Sequence, residues 1–226
     1  MNLVSCWFQG VDTRTNDLTG CIYFMTDDIS QAEDLEGCWP RDGARLFVTT
    51  SWAYDAHIVS DPNERAYRLP MGYKRAADLL VKRAAMDVVD RANVIYPALY
   101  CYRQALELFL KGLIDEFGAR RSENTHSLRR LWEQFAAIVK ERGPEEPLGF
   151  NAARVLIAEM DSADQRSDGF RFPADTKRLP FGFGDQGIDL DNLRAVMAGL
   201  GNFFECASLH FSHQDEMASN LASNSV

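Results

Sequence analysis

Tyr96-Pro97-Ala98-Leu99-Tyr100-Cys101-Tyr102-Arg103-Gln104-Ala105-Leu106-Glu107-Leu108-Phe109-Leu110-Lys111 reads as one apolar helix carrying a regular line of charge. Arg103, Glu107 and Lys111 stand at i, i+4 and i+8, so they project from nearly one side. Ala98, Tyr102, Ala105, Leu106, Phe109, Leu110 and Leu113 cover most of the remaining surface with apolar side chains. A helix apolar on most sides is a buried one, so its charges must be paired or must line a shared surface. The first reading makes Arg103 and Glu107 a structural ion pair. The second turns Arg103 and Lys111 toward a cleft, where they bind an anion.

Helical signals extend outward from this run on both sides. Upstream, Ala77, Leu80, Val81 and Ala84 at helical spacing predict a helix over Lys74–Met86, with Asp90 or Asn93 opening the long helix that Gly118 ends. Downstream, Thr125 is the expected cap of a helix whose inner stripe is Leu128, Leu131, Trp132, Phe135 and Ile138, stopped by Gly143-Pro144. Phe150–Met160 forms a further helix with Val155, Leu156 and Met160 inward. A loop of about 25 residues follows, long enough to expect a task of its own. Asp189 or Asp191 then caps a last helix with Leu193, Val196, Met197, Leu200, Phe203 and Phe204 on its inner face. The first part of the chain has another texture. Leu3–Phe8, Cys21–Met25 and Arg45–Thr50 read as short strands, and Pro70 with Gly72 closes that region. The expected architecture is mainly α: an antiparallel helical bundle over 73–211, a small N-terminal β-containing (α+β) module over 1–72, and a flexible tail over 212–226.

Composition narrows the function classes. The 226 residues are 46% hydrophobic and 25% charged, an ordinary globular balance. A net charge of −9 argues against a general electrostatic grip on nucleic acid while leaving room for a local basic patch. Arginine supplies most of the cations, and its planar fork suits fixed contacts to carboxylate or phosphate. The five cysteines are scattered, without the spacing of a metal site or a disulfide framework, as expected of free thiols in the cytoplasm. Residues 1–20 lack the basic start and apolar core of a signal peptide, and no run is long enough to span a membrane. No metal and no cofactor are expected. Asp161, Asp164 and Asp168 stand in a turn region, where capping roles suit them better than metal ligation.

Three motifs occur in order: Tyr96-Pro97 with Tyr102-Arg103-Gln104-Ala105-Leu106-Glu107 and Lys111; Thr125-His126-Ser127-Leu128 with Leu131-Trp132; and Asp161, Ser167 and Phe170-Arg171-Phe172-Pro173. Together they resemble the HEPN-domain proteins (higher eukaryotes and prokaryotes nucleotide-binding), over roughly residues 73–210. The resemblance implies an all-α bundle that forms a homodimer and serves in prokaryotic defence, toxin–antitoxin or stress systems. It also implies binding of RNA, a nucleotide or a protein partner. Many such proteins are metal-independent ribonucleases built on Arg-x4–6-His, with Arg and His from two subunits meeting at the dimer interface.

Arg121-Ser122-Glu123-Asn124-Thr125-His126 has that spacing, and the chemistry suits it. His126 would move the proton of the attacking 2′-OH, while Arg121 steadies the phosphate. The pair precedes the second core helix, however, whereas the nucleases carry theirs later in the bundle. Arg120, Arg129, Arg130, Arg166 and Arg171, with Arg103 and Lys111, are the candidates for a basic pocket that binds without cutting. Three functions therefore stand open: a binding module, a ribonuclease, or a docking subunit that meets its partner through residues 1–72.

Overall fold

Five helices run through the described residues: α1 (Pro62–Met86), α2 (Val88–Phe117), α3 (Leu128–Arg142), α4 (Phe150–Ala163) and α5 (Leu190–Ser223). The computed structural model describes residues 43–48, 56–118, 125–143, 146–175, 177–179, 181 and 187–223. The protein is mainly helical, with no strand among the described residues. Leu3–Phe8 and Cys21–Met25 lie outside them. Of the third expected strand, 45–48 is irregular chain with Leu46 93% and Phe47 82% exposed. The helical unit begins at Ile58, after a division of the chain at His57.

Two expected boundaries fall inside helices. Asp61 opens α1, its side chain accepting from Glu64 N at 2.8 Å, with Pro62 just behind it. The helix then passes straight through Pro70 and Gly72. Pro70 is buried, so packing outweighs the backbone hydrogen bond the ring removes. At the other end α5 continues beyond Phe211 to Ser223. Arg142 holds that extension, donating to Asp215 Oδ1 at 2.8 Å while its guanidinium lies 4.9 Å from the Phe211 ring centroid.

Asp87 is the only residue between α1 and α2, and its Oδ1 caps α2 by accepting from Val89 N at 2.8 Å. The helix therefore starts at Val88, ahead of the expected Asp90 or Asn93. Arg91 Nε donates to Ala84 O, Tyr102 Oη donates to Asp78 Oδ1 at 2.7 Å, and Tyr73 packs edge-on against Tyr100. From the Arg91–Ala84 contact beside the turn to the contacts of Tyr100 and Tyr102 farther along α2, the partners move back along α1 to Tyr73 and Asp78, so the pair is an antiparallel hairpin. Burial and the Asp78 carboxylate push the Tyr102 phenol far up, so it stays a donor.

One apolar core draws on all five helices, including Val81, Leu106, Leu110, Leu131, Phe135, Ile157, Leu200 and Phe204. The stripe expected for α3 is buried throughout. Its cap is Ser127 rather than Thr125, whose Oγ1, two residues earlier, instead accepts from Ser127 N. In α4 the inner face is Phe150, Ala153, Ile157 and Asp161, and Val155 points out at 59% exposure. Leu156 and Met160 flank that face, half-buried against the core. Asp189 caps α5, accepting from Asp191 N and Asn192 N at 3.0 Å each.

Candidate functional site

Arg103 is fully buried and spends its guanidinium in three directions. Nη1 donates to Glu107 Oε2 at 2.8 Å, Nε to the backbone oxygen of Asp164 at 2.8 Å, and Nη2 to the backbone oxygen of His126 at 2.5 Å. Asp164 Oδ2 lies 3.5 Å from the same Nε. One side chain from the middle of α2 thus ties down both the entry to α3 and the exit of α4. Helical spacing supplies Glu107; a planar five-donor fork reaches all three acceptors at once.

Glu107 is buried beside it and carries the other half of the charge line. Its Oε1 accepts from Lys111 Nζ at 2.7 Å and faces His126 Nδ1 at 2.9 Å. Burial pushes this carboxyl up, but the hydrogen bonds from Lys111, Arg103 and His126 outweigh it and hold it below its ordinary value of 4.5. A carboxyl that ionises more readily when folded stabilises the protein above that ordinary value. The contribution is lost as pH falls through the lower folded one. Urea unfolding across the acid range should therefore show wild type losing stability more steeply than Glu107→Gln below about pH 4.5. Equal slopes would remove Glu107 as the cause.

The imidazole of His126 is 66% exposed. With Nδ1 held on Glu107, Nε2 is the ring nitrogen available to an outside partner, which is the carboxylate–histidine arrangement suited to proton transfer or phosphate donation. Around it the tertiary fold gathers segments far apart in sequence. Asp161 Oδ1 accepts from Ser127 Oγ at 3.0 Å and from Arg129 N at 3.2 Å, capping α3 from the end of α4. Asp164 Oδ1 accepts from Asp168 N at 2.9 Å and Gly169 N at 3.0 Å. These bonds hold a tight turn in which Ser167 has a positive φ of 62°. Among the described residues no group of three or more His, Cys, Asp or Glu side chains could hold a metal ion.

The expected basic residues divide. Arg120 and Arg121 lie outside the described residues. Arg103 is sealed in, and Lys111, largely buried, is engaged with Glu107. Arg129 is exposed, with Nε 3.8 Å from Asp161, and Arg130 is exposed on the next position. Arg166 is exposed and bonded to Asp168 at 2.8 Å. Arg171 stacks over Tyr100 and Phe172, with its guanidinium 5.6 Å and 5.1 Å from the two ring centroids. The capping and turn roles expected of Asp161 and Asp164 are what the structure shows; sequence reasoning passed over Asp164 as a partner of Arg103 in the α2 charge line and over Ser127 as the target of Asp161. The spacing of three between the two aspartates at the end of an apolar helix was a visible sign of a shared face. Their targets were not visible.

Two clefts of about 720 and 640 Å³ open elsewhere on the helical unit, the first between α4 and α5 and the second among α1, α2 and α5. Neither includes His126 or Arg103. No protein-family profile, curated protein or solved structure matches this chain.

Proposed function

We propose that this chain is a HEPN-like module that forms a dimer and takes a phosphate-bearing ligand, RNA or a nucleotide, at the surface around His126. The observation that carries this reading is the 2.9 Å contact between His126 Nδ1 and Glu107, which fixes an otherwise exposed ring. The bonds from Arg103 to the His126 and Asp164 backbones, and from Ser127 to Asp161, join the segments that carry His126, Arg129 and Arg166, and arginine forks are suited to a phosphate. The resemblance adds a setting, a prokaryotic defence or stress system, and a shape of action, recognition by a dimer.

Labelled single-stranded RNA and ATP, titrated at rising salt, test this directly. Binding should weaken with salt, and His126→Ala should weaken it about tenfold or more, the worth of one charge-assisted hydrogen bond. The exposed ring makes that substitution harmless to helicity. Salt-independent binding, or binding indifferent to His126, would reject the site.

The same Glu107–His126 contact favours a second reading, the metal-independent ribonuclease. A carboxylate behind a histidine orients it as a proton carrier. That reading expects RNA cleavage in EDTA which His126→Ala abolishes, with Arg121→Ala reducing it as well. Binding without any cleavage selects the first reading over the second.

A further inference from the structure

We propose that Tyr96, Tyr100, Arg171 and Phe172 form a stacking platform for the bases of single-stranded RNA, an inference that rests on the phosphate site at His126 and says where the bases of that ligand lie. Tyr96, Tyr100, Arg103, Glu107 and Lys111 follow one another at helical spacing, so the two tyrosines extend the face of α2 that carries the charge line. In order along the helix, that face meets His126 at Glu107, the Asp164 backbone at Arg103 and the Arg171 guanidinium at Tyr100. The segment after α4 thus follows α2 back toward its start and brings Arg171 and Phe172 to Tyr100. From Glu107 to Tyr100 and Tyr96 is about 10 and about 16 Å along the axis, a span of roughly three to five stacked nucleotides.

These side chains have the chemistry of a base-stacking surface and are held ready for it. Phe172 is 53% exposed and Tyr96 52%, two large rings outside the apolar core. Arg171 is exposed as well, and its guanidinium is set by the Tyr100 and Phe172 rings. Tyr73 packs edge-on against Tyr100 at 6.4 Å and fixes the inner ring. Aromatic rings and guanidinium planes are the surfaces on which splayed bases lie, and every base has a π-face, so such a platform takes single strands with little regard for sequence. A duplex keeps those faces inside its own stack. Attraction by stacking also suits a chain with a net charge of −9, which lacks the broad basic field that grips a duplex by its phosphates.

The test uses the full chain and a short fluorescein-labelled RNA of mixed sequence, alone and as a perfect duplex, followed by anisotropy. Phe172→Ala and Tyr96→Ala should each weaken single-strand binding about fivefold or more, with helicity retained by circular dichroism. Phe172→Trp should restore it, whereas Phe172→Leu, apolar but without a ring, should behave as the alanine variant. Tyr67→Ala removes an exposed ring from the cleft among α1, α2 and α5, and should change binding less than about twofold. The duplex should bind about tenfold more weakly than the single strand. Inorganic polyphosphate, which has phosphates and no bases, separates the two sites: its binding should weaken in His126→Ala and stay unchanged in Phe172→Ala. The platform is overturned if Phe172→Ala and Tyr96→Ala leave RNA affinity unchanged, if Phe172→Leu binds as wild type, or if the duplex binds as tightly as the single strand. Loss in His126→Ala alone would then keep the phosphate site without the platform. Loss in the ring variants with His126→Ala silent keeps the platform and removes the phosphate site, and no binding of either RNA overturns both.

Discussion

Arg103→Ala should lower the stability of the helical unit by about 3–5 kcal/mol, read as a fall in the urea midpoint at constant m-value. The side chain is fully buried, and its removal strands three acceptors at once: Glu107 Oε2, the Asp164 carbonyl and the His126 carbonyl. The costly part is the buried negative charge left under-compensated: Glu107 Oε2 loses its donor while Oε1 keeps Lys111 and His126, and the buried Asp164 carboxylate loses the cation 3.5 Å away. Against a typical domain stability of about 5–15 kcal/mol, the loss is a large share of the whole. Arg103→Lys should recover little, since an ammonium lacks the fork that reaches three directions. Arg103→Met/Glu107→Leu should be milder than Arg103→Ala alone, because it removes both charges together. Lys111 and His126 lose their acceptor in that double variant, but both retain access to solvent. A single-variant loss under about 1 kcal/mol would mean the network is ornamental to the fold.

Phe135→Ala should cost about 3–5 kcal/mol by the same measurement, for a different reason. Its ring is fully buried and stands at the centre of an aromatic cluster, 5.3 Å from Trp132 and between 6.2 and 6.4 Å from Phe150, Phe203, Phe204 and Phe211. These neighbours come from α3, α4 and α5, so the cavity would open where three helices meet. Rigid rings collapse poorly into a void, which places the cost toward the upper end for a large-to-small change. Phe135→Leu should cost clearly less, and the near-ultraviolet dichroism of the cluster should drop only in the alanine variant. Equal losses for leucine and alanine would show that the cluster repacks freely.

These expectations differ in how much of them was legible beforehand. Phe135 belongs to the stripe Leu128, Leu131, Trp132, Phe135 and Ile138, which periodicity places inward and the fold buries completely. The Arg103–Glu107 pair was equally legible, because i and i+4 on one helix leave neighbouring side chains little choice. Val155 was misplaced: it lies on the outer side of the α4 face set by Phe150, Ala153 and Ile157. Pro70 was misread as a stop because a local penalty was weighed without the burial that offsets it. The cap of α3 was set two residues early, since Thr125 and Ser127 are alike in local chemistry and only Asp161, from a distant helix, distinguishes them.

The chain by itself determined that it would be mainly helical, which faces of α2, α3 and α5 would be apolar, and that a line of charge would lie within the apolar run. Those properties follow from spacing along a helix of fixed pitch and need no knowledge of neighbours. The tertiary structure alone decided that Asp164 and the His126 carbonyl would meet Arg103, that Glu107 would hold an exposed imidazole, and that Gly112 would line the cleft among α1, α2 and α5. Contacts between residues 19 to 61 positions apart depend on how helices dock, and docking is set by the summed fit of whole faces rather than by any local signal.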